Sequence, residues 1–187
     1  MVMDVHAEQI FEQLRILADK LYKRNPHEWK KVGLPSRKAA IDRIFTKPFP
    51  LVNGKMSTAS IRLAFNDKYQ GDRVLAFIAG IGSMLDLAYN GKSDFYILDS
   101  FDAQKVHNSA RNIEIAAWLL KSRKKPNGQA YLLSHGKSSD GVNQSFERVI
   151  GKMIGQQDTL AQIVARKTHR IIKNVVQSAA QLVFLPV

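Results

Sequence analysis

Apolar residues return at helical intervals along most of this chain. From Asp4 to Lys23, Val5, Ile10, Leu14, Leu17 and Leu21 recur at steps of three to five residues, which predicts one amphipathic helix. Asn25-Pro26 reads as an N-cap followed by proline at the first helical position, opening a short helix that stops before Gly33. Pro35-Ser36 caps a helix over 37–45, with Ala40, Ile41, Ile44 and Phe45 on one face. Lys47-Pro48-Phe49-Pro50 interrupts the pattern, because each proline bars the residue before it from helical geometry. Asn53-Gly54 adds a turn signal, and Ser57 opens the next helix, through Phe65.

Gly71-Asp72 starts a helix over 73–90, the most apolar of all, in which Ser83 is the only polar residue from Val74 to Leu85. Such a run spans about 18 Å as a helix, short of the ~30 Å hydrocarbon core of a membrane, so it predicts a buried central helix. Gly80 and Gly82 weaken helix propensity. Their expected compensation is close approach of a crossing helix, taken to be the long C-terminal one. Gly91 is expected to close the central helix as its C′ residue.

Phe95-Tyr96-Ile97-Leu98 and Ala130-Tyr131-Leu132-Leu133 are short and aromatic or β-branched, and would pair as a minimal two-stranded ribbon. Between them a helix capped by Asp99 or Ser100 runs to about Ser122, followed by the basic turn Lys124-Lys125-Pro126-Asn127-Gly128. His135 to Val142, rich in Gly and Ser, reads as a mobile loop. From Phe146 to Leu182, Ile150, Met153, Leu160, Val164, Ile171, Val175 and Ala179 hold one apolar stripe. This predicts a single long curved helix of ~60 Å, bent at Gly151 or Gly155 if at all. The expectation is an all-α, single-domain helical bundle over 1–187, with a long C-terminal helix and at most that ribbon.

Apolar residues at 45% and charged residues at 24% agree with one globular core. Charge changes the picture: 28 Lys and Arg against 16 Asp and Glu leave +12, a field to which polyanions and anionic membranes respond. The basic residues cluster: Lys23, Arg24, Lys30, Lys31, Arg37 and Lys38 early in the chain, then Lys121, Arg123, Lys124 and Lys125 in a loop patch. Arg166, Lys167, Arg170 and Lys173 form a stripe around His169 on the last helix. A solvated face is the competing explanation, and no nucleic-acid reading motif or set of stacking aromatics accompanies the clusters. Cysteine is absent, which removes disulfides, thiolate metal sites and cysteine nucleophiles. Asp4, His6 and Glu8 stand where the apolar stretch of a signal peptide would lie, so the start fits a trimmed N-terminus.

Candidate chemistry is thin. His107, Arg111, Glu114 and Trp118 share one helix face, where an Arg111–Glu114 ion pair and a packed Trp118 are the preferred reading over an acid–base histidine. A catalytic histidine needs an orienting partner and a nucleophile, and the sequence identifies neither. Asn108 and Asn112 lie beside that face and are placed to hydrogen-bond a neighbouring loop. Asp86, at the end of the apolar run, needs a cation, with Arg111 or Arg73 the expected partner. The five histidines form no metal-binding pattern, and neither a nucleophile elbow nor a phosphate loop is present, so no metal or cofactor is expected.

Gly71-Asp72-Arg73-Val74, the run from Asn108 through Arg111 and Glu114 to Trp118, and Ser145-Phe146-Glu147-Arg148 together resemble a group of uncharacterised proteobacterial exported proteins and lipoproteins. The resemblance covers most of the chain and implies a cell-envelope location. It implies no activity and no site residues, and the lipoprotein cysteine is missing here. The favoured expectation is a non-enzymatic helical envelope module that binds a protein partner or an anionic surface. A cytoplasmic nucleic-acid-binding module and an enzyme acting through His107, Arg111 and Glu114 or Asp86 are the alternatives.

Overall fold

The computed structural model describes residues 2–91, 102–134, 137–138, 141–142, 145–169, 171–172 and 183–187. It is all-α. The helices are α1 (Val2–Arg24), α2 (Pro26–Lys30), α3 (Arg37–Ile44), α4 (Ser57–Leu63), α5 (Arg73–Ala88), α6 (Ala103–Ser122) and α7 (Ser145–Thr168). Among the described residues the only paired strands are β1 (Lys137–Ser138) and β2 (Gly141–Val142), joined antiparallel. No helix among these residues is long and apolar enough to cross a membrane.

The apolar run forms the central helix α5, buried continuously from Arg73 to Leu85. α1, α2, α3, α4 and α6 pack around it, and α7 lies across α1 and α6. Each fully buried Leu, Ile or Phe removes about 1.5–3 kcal/mol worth of apolar surface from water, so α5 is where burial holds the fold. Side-chain caps start α3 and α5, where Ser36 accepts from Ala39 N at 3.0 Å and Asp72 from Leu75 N at 2.9 Å, whereas neither Asn25 before α2 nor Met56 before α4 caps with its side chain.

Three elements depart from the sequence expectation. α6 begins at Ala103 with Asp102 as its cap, not at Asp99 or Ser100. At the end of α5, Asn90 takes the C′ position (φ 56°) with Gly91 following it, also left-handed (φ 64°), and Gly91 N donates to Asp86 O at 2.8 Å in a Schellman closure. The third is α7, which runs unbroken through Gly151 and Gly155 but stops at Thr168, where His169 turns left-handed (φ 53°). Its apolar stripe keeps phase beyond that point, yet Ile171 is 92% exposed. Val175, Ala179 and Leu182 lie outside the described residues. α7 runs antiparallel to α1, with Gln156 on Gln9 and Phe146 under Lys20.

Of the expected ribbon only one half can be followed. Residues 95–98 lie outside the described residues, and of 130–133 only Ala130 forms a bridge, to Lys124. The paired strands fall instead inside the Gly- and Ser-rich segment read as a mobile loop.

α5 has close neighbours, but α7 is not the one at its glycines. A Cβ on Gly80 would stand 2.8 Å from the backbone N of Ile61 and 2.9 Å from Ser57 O, both in α4. Gly82 is covered by the ring of Phe49. Serines stitch the same crossing: Ser60 Oγ donates to Ala76 O (2.8 Å), and Ser57 N donates to Ser83 Oγ (2.8 Å).

Candidate functional site

The proline-broken loop after α3 closes over the C-terminal half of α5 and leaves a groove of about 840 Å³. Phe11 of α1, Phe45, Pro48 and Phe49 of the loop, and Met56 and Leu87 form its walls. The rings pack as a set, Phe49 lying 5.9 Å from Phe11 and 6.0 Å edge-on from Phe45. Gly82 makes this possible, since its missing Cβ is where the Phe49 ring rests.

Asp86 sits at the mouth. Its partner is neither Arg111 nor Arg73 but Lys47, whose ammonium reaches both carboxylate oxygens at 2.5 and 2.7 Å. The same ammonium lies 4.2 Å from the Phe49 ring centroid and 4.5 Å from that of Phe11. Lys47 thus spans the aromatic wall and the acidic end of α5, held by charge and by ring faces together. Glu8 is the remaining ionisable residue in the lining. The rim is close to charge-balanced while the interior is apolar, which favours an apolar occupant over an anionic one.

The other candidate residues assemble separately, without Asp86. His107, Arg111 and Glu114 of α6 meet Asp158 of α7, a residue the sequence did not flag. Arg111 Nη2 contacts Asp158 Oδ2 at 2.6 Å and Glu114 Oε1 at 3.2 Å. His107 Nδ1 stands 3.6 Å from Asp158 Oδ1, an ion-pair distance but too long for a hydrogen bond. Burial raises the Glu114 carboxyl above its ordinary value; the Asp158 charge adds to this, and Arg111 and His107 oppose it. The cavity beside these groups, about 400 Å³, is lined by His107, Arg111, Asp158, Gln162 and Ile172, none of them a hydroxyl or amine nucleophile. Chemically this is a guanidinium strap between two helices. Trp118, expected to pack, is exposed on the same helix at 38%.

The basic clusters do not make one surface. Arg123 and Tyr131 interact electrostatically, Leu133 binds Asn25 at the end of α1, and Phe146 lies under Lys20, so the end of α6, the end of α1 and the start of α7 share one end of the bundle. Lys121, Arg123 and Lys124 are exposed there with Lys125 half-buried, close to where α1 finishes in Lys23 and Arg24. Arg166 and Lys167 are exposed at the opposite end of α7. Arg170 and Lys173 lie outside the described residues.

A buried polar knot escaped the sequence reading altogether. Glu28 accepts from Arg73 N at 2.6 Å and pairs with Lys31 at 2.8 Å. Asp72 accepts from Tyr22 at 2.7 Å, and the Arg73 guanidinium donates to the carbonyls of Ala64, Asn66 and Tyr69. Burial raises the Asp72 carboxyl, and pushes the Tyr69 phenol up to about 12. Asp72 and Arg73 are spent on backbone and on Tyr22, and Glu28 on Arg73 N and on the exposed His27 and Lys31, so the knot fixes the N-terminus of α5. Comparison with family models, curated proteins and solved structures finds no match for this chain.

Proposed function

We propose that this protein is a non-enzymatic binding module whose aromatic groove takes an apolar anchor from a protein partner. The observation that carries the reading is the groove itself, with a wall of three phenylalanines and a rim where Met56 and Leu87 remain 41% and 39% exposed. Met and aromatic side chains adapt to varied apolar partners, which is how helix-binding grooves are commonly lined. The net charge of +12 on the chain supports a partner that is acidic around its anchor, since opposite charge speeds encounter. The resemblance to exported proteobacterial proteins would put that partner in the cell envelope.

Selection of short random peptides against the wild type, with Met56→Lys/Leu87→Lys as counter-target, tests this. Enrichment of peptides with apolar residues at helical spacing and acidic flanks, all lost on the double variant, is the expected result. Peptides indifferent to both substitutions would overturn it. Binding of an apolar dye such as anilinonaphthalene sulfonate without any peptide would reassign the groove to a small molecule.

A second reading rests on the basic end of the bundle, where none of Lys121, Arg123, Lys124 and Lys125 forms an ion pair with a described residue. That end would suit an anionic surface or nucleic acid. Affinity for mixed-sequence DNA or for anionic vesicles should then fall steeply with salt. Absence of binding at ~50 mM salt, where screening is weak, removes it.

A further inference from the structure

Residues 183–187, the last of the chain, lie along one face of α6. Asn112, 0% exposed, donates from Nδ2 to Leu185 O at 2.8 Å and accepts from Leu185 N at Oδ1, 2.7 Å. One turn earlier, Asn108 donates to Pro186 O at 2.8 Å, and Gln104 donates to Asn108 Oδ1 at 2.8 Å, which fixes that amide's orientation. The stripe 104, 108, 112 therefore reads main-chain atoms of the tail. The side chain of Phe184 is met by Arg62, whose guanidinium lies 4.9 Å from the ring centroid.

A primary amide that matches the N–H and C=O of one residue offers what a neighbouring β-strand would offer. It recognises an extended backbone whichever side chain that residue carries. With the segment withdrawn, water would take both bonds, so what the amide adds is selectivity for a main-chain N–H and C=O held at this spacing. The same two-way clasp occurs once more, from Asn25 to Leu133 at 2.9 and 2.8 Å. Phe184 and Leu185 are half-buried, while Val183 and Pro186 on either side of them are exposed.

We propose that the Gln104–Asn108–Asn112 face is a docking site for an extended segment of another protein, of aromatic-aliphatic-proline type, and that residues 183–187 occupy it in cis as a competitor. The occupant's chemistry is that of Phe184-Leu185-Pro186: a ring for Arg62, a free N–H and C=O for Asn112, and a carbonyl for Asn108. A tethered tail competes at high effective concentration, so the site in the intact chain is largely closed to outside peptide. Freeing it raises apparent affinity by the factor through which the open state increases.

The test uses the full-length chain and a fluorescent peptide of sequence Gln-Leu-Val-Phe-Leu-Pro-Val, read by anisotropy. Leu185→Pro deletes the tail's N–H and leaves the α6 face intact. The peptide should bind this variant at least about tenfold more tightly than the wild type. The same peptide N-methylated at its second leucine should lose that binding, a control that leaves the protein untouched. Adding Asn108→Ala to the Leu185→Pro chain should weaken binding several-fold. Equal binding to wild type and Leu185→Pro, no binding to either, or full binding of the N-methylated peptide would each overturn the proposal.

Discussion

Replacing Gly80 by alanine adds one methyl where α4 and α5 touch backbone to backbone. The new carbon would stand 2.8 Å from Ile61 N and 2.9 Å from Ser57 O, and ordinary contact begins at 3.4 Å. Neither atom is the tip of a flexible side chain, so α4 must retreat by about 0.6 Å, an overpacking that typically costs 1–3 kcal/mol. The retreat also stretches the Ser60–Ala76 and Ser57–Ser83 hydrogen bonds from 2.8 Å. Alanine returns at most about 1 kcal/mol through helix propensity. The net expectation is a loss of about 1–2 kcal/mol, which moves the urea midpoint by roughly 0.5–1 M at ordinary m-values. Gly151→Ala and Gly155→Ala are the internal controls, because nothing lies within 4 Å of either added carbon. On exposed faces of α7 each should stabilise by about 0.4–1 kcal/mol. A gain in stability for Gly80→Ala, with an unchanged m-value, would refute the close crossing.

Gly82→Ala should act on binding as well as on stability, because it drives the Phe49 ring off α5 and into the groove; dye or peptide binding should weaken, and unaltered binding would separate Phe49 from the site. Asp72→Asn keeps the cap acceptor for Leu75 N and turns the oxygen that receives the Tyr22 hydroxyl into an amide N–H that donates to the Tyr22 oxygen, while removing a charge whose burial raises the folded carboxyl above 3.8. A raised acid contributes its stability below the unfolded value and loses it as pH rises through the folded value. Urea midpoints across pH should therefore show the asparagine variant improving relative to wild type from about pH 4 upward, and the opposite slope would show that ionised Asp72 stabilises the fold. A double-mutant cycle on Arg111→Met and Asp158→Asn should return a coupling of roughly 0.5–1.5 kcal/mol that shrinks with salt, since both side chains are partly exposed. A coupling of zero would remove the strap from the account.

What could be read from the sequence was what depends on local period. The α5 run, the Ser36 and Asp72 caps, and the placing of Asn108 and Asn112 to bond a neighbouring segment all follow from residues close together in the chain. Asp86 went to the wrong cation because Lys47 lies 39 positions away, on a loop whose path only tertiary packing decides. Asp158 stayed hidden for the same reason, 47 positions from the Arg111 it pairs with. The end of α7 was missed because an apolar stripe that keeps its phase past Thr168 does not say where the backbone turns out of the helix, as it does at His169. The two glycines did report a close contact, but periodicity cannot say which helix supplies it. No residue of the groove wall carries a motif: Phe45 reads as part of one helix face, Phe49 falls in a proline-broken stretch, and nothing in the sequence singles out Phe11 or Leu87.

The central claim is that the groove, and not the polar cluster on α6, is where a partner sits. Methyl-labelled spectra of the full chain, titrated with a peptide selected on the wild type, test it most directly. The account predicts saturable shifts at the Met56 and Leu87 methyls and none at Ile172, which lines the cavity beside His107 and Arg111. Shifts centred on Ile172 with Met56 and Leu87 unmoved would contradict it.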